Sequence, residues 1–294
     1  MIGDPSEGRH VPVDDTRLWV LEMGAGHPML LLHGGPGLDH TQFRPWMDPL
    51  AERFRLVYVD LRSQGRSDPA DPSTWTLDRM AEDVGALAEA LGYDRYAVLG
   101  QSFGSFVALQ HAVTDGGASH YLLLGSVPSD RWLERVEQNL AAIEPAELRE
   151  RIAGSWDRET EVQTAEEFRQ LFRDQLPFHF ATTDSDAYRE FDEAAERIRF
   201  APEVLRRLSR EGYGGLDVED ALADIRRPVL VITGEHDRVT VPEGGYAIAE
   251  AVPEGDFVVI KDAGHMAFAE KPKAVRRAIV DFVDRYPVER GTAS

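Results

Sequence analysis

Gly100-Gln101-Ser102-Phe103-Gly104 sets a serine midway between two glycines. The run Tyr96 to Leu99 before it reads as a strand, and Phe103 to Ala112 after it reads as a helix. In that context the turn holds a serine in a strained conformation at the strand tip, and small neighbours let the chain fold back. Such a serine is a candidate nucleophile. A hydroxyl needs a base, and the base needs a group that fixes its tautomer. His265, in Asp262-Ala263-Gly264-His265-Met266, follows the apolar run Phe257 to Lys261. Asp237, in Gly234-Glu235-His236-Asp237, follows Val229 to Thr233. Both sit just past strand ends, at the sheet edge that carries Ser102. The other histidines are placed less well. His111 falls inside a helix, His179 falls in a helical block, and His10, His27, His40 and His120 lack a strand-end position. His236 would precede its own acid. Glu235 and Asp130 are the alternative acids.

Attack on a carbonyl also needs donors for the oxygen that becomes negative. The amide of Phe103 is one, at the start of its helix. His33-Gly34-Gly35-Pro36-Gly37, after the buried run Met29 to Leu32, supplies a loop whose backbone can approach a ligand closely. Pro36 has no N–H, so Gly35 is the expected second donor. His33 reads as a residue bonding loop backbone rather than a proton carrier. No His-Glu-x-x-His pattern or clustered ligand set appears and cysteine is absent, so no metal or other cofactor is expected.

These residues must be held by a recognisable scaffold. Arg17 to Glu22, Met29 to Leu32, Phe54 to Val59, Tyr96 to Leu99 and Tyr121 to Leu124 read as strands. Leu77 to Leu91 carries apolar residues at helical spacing and ends at Gly92. From about Asp130 to Asp220 the texture becomes helical and charged: Pro145 to Ile152, Ala165 to Gln175, Ala187 to Ile198 and Pro202 to Ser209. Gly212, Gly214 and Gly215 then mark a return. Strand and helix alternate again in Pro228 to Thr233, Pro242 to Ala251, Phe257 to Lys261 and Pro272 to Tyr286. The fold class is therefore α/β, a mostly parallel sheet flanked by helices. Residues 1–129 and 221–294 form one catalytic domain, and residues 130–220 form an inserted helical cap.

The composition narrows the partners. Of 294 residues 43% are apolar, enough for an ordinary core. The net charge of −20 repels nucleic acid and anionic lipid, and it reads either as solubility or adaptation to salt or heat, or as steering of a substrate. No apolar run reaches the length of a membrane span. Met1 to His10 is polar and lacks the pattern of a secretory signal, so a cytoplasmic protein is expected. A small molecule or short peptide is the remaining substrate class. The oligomeric state is not legible.

With these motifs in place, the chain resembles the α/β-hydrolase superfamily, which carries its triad in the chain order serine, acid, histidine. His33-Gly34-Gly35-Pro36-Gly37 and Gly100-Gln101-Ser102-Phe103-Gly104-Ser105 resemble the proline iminopeptidase group of serine peptidases. Asp60-Leu61-Arg62-Ser63-Gln64-Gly65-Arg66-Ser67-Asp68-Pro69 is similar to that group's aspartate-arginine-glycine-serine loop, which usually has glycine where Ser63 stands, and it reads as a structural brace. The resemblance implies release of an N-terminal residue, proline above all, from a small peptide or amide. It also implies carboxylates near the nucleophile for the free amine. One branch has glutamate directly after the catalytic aspartate, whereas Arg238 stands here and would disfavour an ammonium by on the order of 1–3 kcal/mol. Glu159 and Glu193 are acidic cap residues that could substitute, or simply face solvent. Two other functions fit the same residues. One is a carboxylesterase or lactone hydrolase with an apolar pocket, and the other is a small-molecule receptor that keeps the fold and little turnover. Trp132, Trp156, Phe168, Phe172, Phe178, Phe180 and Phe191 read either as lining for such a pocket or as packing between cap helices.

Overall fold

The computed structural model describes residues 7–114 and 116–287. Most of the polar stretch Met1 to His10 lies outside the described residues. Apolar runs with every residue buried make the centre of one sheet, as expected of parallel strands covered on both faces. In β3 (His27–Leu32) the last four residues are buried, and in β5 (Ala97–Gln101), β6 (His120–Leu124) and β7 (Val229–Gly234) all are. With β1 (Arg9–Val13), β2 (Thr16–Met23), β4 (Phe54–Val59) and β8 (Gly255–Ile260) they form an eight-stranded sheet in the order β1-β2-β4-β3-β5-β6-β7-β8. β1 pairs with β2 and β2 with β4 antiparallel, and every other pair is parallel.

β1 is the one strand that the sequence pattern did not announce. It is five residues long, contains Pro12 and lies at the sheet edge, where a missing N–H is tolerated. Alternate side chains of the strands enter two separate cores. Leu30, Leu32, Val57, Val59 and Val98 pack with α1 (Leu77–Ala90), α2 (Phe103–Val113) and α9 (Pro242–Ala251). Met29, Leu31, Leu56, Tyr58 and Leu99 pack on the other face with α10 (Ala267–Glu270) and α11 (Pro272–Arg285).

Between β6 and β7 the chain forms α3 (Arg135–Ala141), α4 (Ala146–Glu159), α5 (Ala165–His179), α6 (Asp186–Ala195), α7 (Pro202–Arg210) and a kinked turn, α8 (Gly212–Gly215). A capping box formed by Thr164 and Glu167 starts α5. The glycine-rich return is not just a connection. Tyr213 takes a left-handed conformation there (φ 55°, ψ 38°), which costs a non-glycine residue about 1–2 kcal/mol. Among the described residues no helix is long and apolar enough to cross a membrane.

Candidate active site

Ser102 stands between the end of β5 and the start of α2, with φ 51° and ψ −121°. A side chain in such a conformation is strained, and its neighbours must be small for the turn to close. A Cβ on Gly100 would lie 2.2 Å from the carbonyl oxygen of Gly104, and one on Gly104 would lie 2.1 Å from that of Leu32. The Ser102 amide donates to the Leu124 carbonyl at 2.9 Å, fixing the turn to β6. Phe103 is the first residue of α2, so its amide has no carbonyl one turn back within the helix to bond.

The parallel register brings the loops after β7 and β8 to the same edge. The Asp237 carboxylate is fully enclosed and fully bonded. Its Oδ1 accepts from the amides of Val239 and Thr240, both at 2.9 Å, and its Oδ2 accepts from Thr240 Oγ1 at 2.8 Å and from His265 Nδ1 at 2.9 Å. A carboxylate only accepts, so Nδ1 carries the proton and Nε2 presents a lone pair. Thr240, which also lies 3.1 Å from Nδ1, is a member of this network that was missed. Its signal was available, because an aspartate commonly bonds amides two and three residues on. Glu270 ties down the His265 loop by accepting from the Gly264 amide at 2.7 Å and the Ala181 amide at 2.9 Å.

Two adjoining recesses, of about 220 and 50 Å³, share Gly35, Ser102, Glu159, Gln175 and His179. The smaller also touches His265, Gln101 and Met266. The larger has apolar walls from Phe106, Leu133, Val136, Trp156 and Val239. Five of the sequence-predicted residues therefore converge here: Ser102, Gly35 and Phe103 on the wall, His265 beside them, and Asp237 behind His265. His33 is indeed structural. The Leu61 amide donates to its Nε2 at 3.1 Å, Nδ1 bonds the Gly34 carbonyl at 2.8 Å, and burial lowers its pKa.

The loop from Asp60 to Pro69 braces this floor. Asp60 accepts from His40 and from the Arg66 amide, and the buried Arg62 guanidinium bonds Asp83 and Asp15. Ser63 has φ 60°, which explains a glycine preference at its position, and its Oγ accepts from the Ala70 amide and the Trp75 indole. Asp39, His40 and Asp60 form a buried cluster with ligand-like spacing, and Glu235, His236 and Asp262 form an exposed one. In the first the carboxylates already accept from Thr41, His40, Arg66 and Arg199, and neither cluster contributes to the recesses.

The inserted helices supply the rest of the wall. Glu159, at the end of α4, is only 4% exposed; its carboxylate accepts from Tyr213 Oη and from Gln175 Nε2, both at 2.6 Å. Burial pushes it up to about 7 against the opposing pull of those two bonds. The strained Tyr213 thus delivers its hydroxyl to this carboxylate. His179, set aside above as a cap residue, lies on both recesses with its ring centroid 5.3 Å from that of His265. Its Nδ1 bonds the Gln175 carbonyl at 2.9 Å, and burial lowers it to about 4, so it is neutral at ordinary pH. The aromatics of the inserted segment divide. Trp156, Phe168 and Phe172 line the recesses, while Phe178, Phe180 and Phe191 pack on other rings and the Trp132 indole donates to Glu219. Arg238 lines neither recess. Its Nη1 donates to the Phe180 carbonyl at 2.8 Å and lies 3.5 Å from that of Phe178, at the C-terminal end of α5 where a cation is favoured.

A serine on the elbow after β5, with a carboxylate and an imidazole in the loops after β7 and β8 of a mostly parallel sheet, places the molecule among the α/β enzymes. The chain belongs to the alpha/beta hydrolase fold family, whose model matches residues 27–272. A proline iminopeptidase of Xylella fastidiosa is 30% identical, over 87% of this chain and 90% of that protein. The crystal structure of proline iminopeptidase from Mycobacterium smegmatis superposes with a TM-score of 0.76 at 25% identity, covering 95% of this chain and 98% of that one. A thermophilic esterase from Thermogutta terrifontis shares the fold, with a TM-score of 0.74 at 24% identity over 96% of this chain and 100% of its own. The protein is a hydrolase similar to the proline iminopeptidases.

Proposed function

We propose that the protein is a serine hydrolase that works by acyl transfer and releases an N-terminal residue, proline above all, from small peptides or amides. His265 Nε2 takes the proton of Ser102, and Ser102 Oγ attacks the carbonyl carbon. The amides of Gly35 and Phe103 hold the oxygen as it becomes negative. Asp237 orients His265 and stabilises its charged form. The proton then passes to the leaving nitrogen, and water releases the acyl group by the same route. Residues 130–220 act as the cap that closes this site.

One observation carries the choice of substrate: Glu159 is a buried carboxylate on the same wall as Ser102. An ammonium is the partner that would compensate such a charge. Arg238 weighs little against this reading, because it lines neither recess and its guanidinium is held on the carbonyls of Phe178 and Phe180. A second reading, hydrolysis of small esters or lactones, is favoured by the apolar wall of the larger recess and by a carboxyl that burial keeps protonated below about 7.

The test is a side-by-side assay with a fluorogenic prolyl amide and a short-chain nitrophenyl ester, with Ser102→Ala as the blank. The peptidase reading expects the amide to be preferred and its turnover to vanish when its amine is acylated. Fast ester turnover with a silent amide would replace it with the esterase reading. A Ser102→Ala variant with near-native turnover would overturn both, since losing this group should cost on the order of 10⁴ or more.

A further inference from the structure

The chain of side-chain amides behind Ser102 is not used by the mechanism above. Gln42 and Gln101 are 2% and 1% exposed, so their hydrogen bonds must be complete within the protein. The Gly34 amide, in the glycine loop that bears Gly35, donates to Gln42 Oε1 at 3.0 Å. Gln42 Nε2 donates to Gln101 Oε1 at 2.8 Å. Gln101 Nε2 then lies 3.3 Å from His265 Nε2 and 4.0 Å from Met266 Sδ.

The direction of this chain is fixed at both ends. A backbone N–H can only donate, so Gln42 must turn its oxygen to Gly34 and its nitrogen to Gln101. Gln101 must then meet Gln42 with its oxygen, which leaves its NH₂ facing His265. From the other side, the Asp237 carboxylate can only accept, so His265 carries its proton on Nδ1 and keeps a lone pair on Nε2. The donor therefore lies 3.3 Å from Nε2, beside the single lone pair that also takes the proton of Ser102. The packing leaves no slack, since a Cβ on Gly34 would lie 2.3 Å from Gln101 Oε1.

We propose that Gln42 and Gln101 form an amide relay from the glycine loop to His265, with Gln101 as a positioning residue that holds the base in its proton-accepting form. The inference rests on the acyl-transfer reading. When the proton leaves Ser102 Oγ for His265 Nε2, as the Oγ–carbon bond forms and the carbonyl π pair moves to oxygen, the new N–H faces the NH₂ of Gln101. Two donors then oppose each other, and the contact favours passing the proton on to the leaving nitrogen. The relay therefore works on the charged form of His265 from the side opposite Asp237.

The experiment measures the second-order rate of Ser102 phosphonylation by an uncharged fluorophosphonate across pH, on the full chain. Asp237 and His179 face His265, Glu159 shares its recess and Tyr213 bonds Glu159; all four stay the same in every variant, so differences report the relay. Gln101→Glu, which puts a carboxylate against Nε2, is expected to move the acid limb of the profile to higher pH by about one unit or more. Gln42→Glu must draw the NH₂ of Gln101 toward itself and turn its oxygen to His265, so it too raises the acid limb although it never touches the imidazole. Gln101→Met, an uncharged replacement of similar length, keeps the proposal testable if the buried carboxylates prevent folding, and it raises the limb by less. Acid limbs that superpose on the native one, with only a uniform loss of rate, would assign both glutamines a structural role and overturn the relay. Labelling that survives Ser102→Ala would instead overturn the acyl-transfer reading, and the relay with it.

Discussion

Glu159→Gln removes the ionisable group from the recess wall, and its effect on stability has a definite pH dependence. Burial raises this carboxyl from 4.5 to about 7 in the folded chain. In the unfolded chain it titrates near the ordinary value. Between these two values the native state keeps a proton that the unfolded state has released. Stability therefore falls as pH rises through that window, and the full cost stands above about 7. At 1.36 kcal/mol per unit, the shift amounts to about 3 kcal/mol. Glutamine cannot ionise and is free of this term. It does disturb the two bonds, because the substituted amide can accept from one of Tyr213 and Gln175 but must offer its NH₂ to the other, at on the order of 1 kcal/mol. That loss is the same at every pH. Urea unfolding of both proteins at about pH 4.5 and about pH 8.5 separates the terms, and the variant should gain about 3 kcal/mol relative to the native chain between them. Equal differences at the two pH values would refute the reasoning, because they would mean that Glu159 is not held protonated by burial.

Three further changes test the scaffold. Arg62→Leu strands Asp83, which is 2% exposed and already shifted upward by burial, and should cost about 3–5 kcal/mol near neutral pH by urea unfolding; a cost below about 1 kcal/mol would mean that the Arg62 pair is not what holds the loop. Gly104→Ala drives a Cβ against the Leu32 carbonyl, backbone against backbone, and should destabilise by about 3 kcal/mol or prevent folding, whereas Gly154→Ala in α4 meets no atom within 4 Å and should stabilise by about 0.5–1 kcal/mol. Thermal unfolding of the pair reads both, and a benign Gly104→Ala would remove the steric account of the elbow.

The parts of the fold that were legible share a physical cause. A central parallel strand is buried on both faces, so Met29 to Leu32 and Val229 to Ile232 stand out as unbroken apolar runs. Once those runs are strands of a parallel sheet, the residues after them must gather at one edge, and Ser102, Asp237 and His265 follow without knowledge of any contact. Edge strands obey weaker constraints, and Arg9–Val13, with its proline, was invisible for that reason. The wall of the recess was illegible for a different reason. Amphipathic spacing says which face of α4 or α5 is buried but not where each helix docks. Glu159, Gln175 and His179 are three residues among many on α4 and α5 until docking brings them to Ser102. Tyr213 is harder still, since it depends on a left-handed tyrosine that no propensity favours.

Arg238 and Glu159 show why charge read along the chain misleads about a pocket. Arg238 follows the predicted acid directly, so by sequence position it stands nearest the chemistry and argues against an ammonium. Its side chain instead runs to the end of α5 and bonds the carbonyls of Phe178 and Phe180, while its own carbonyl accepts from Asn139 of α3 at 3.0 Å. One residue thus pins two inserted helices to the loop that carries Asp237. Glu159 is 78 residues from Asp237 in the chain, yet it is the carboxylate that reaches the wall beside Ser102. Both groups are bonded only by neutral partners and keep their charge, but Arg238 lines neither recess, whereas the Glu159 carboxylate stands on the wall of both without a counter-charge. Under the proposed function, selectivity for a free amine therefore resides in the ionisation of Glu159. Mutating Arg238 should leave that selectivity in place while loosening the cap.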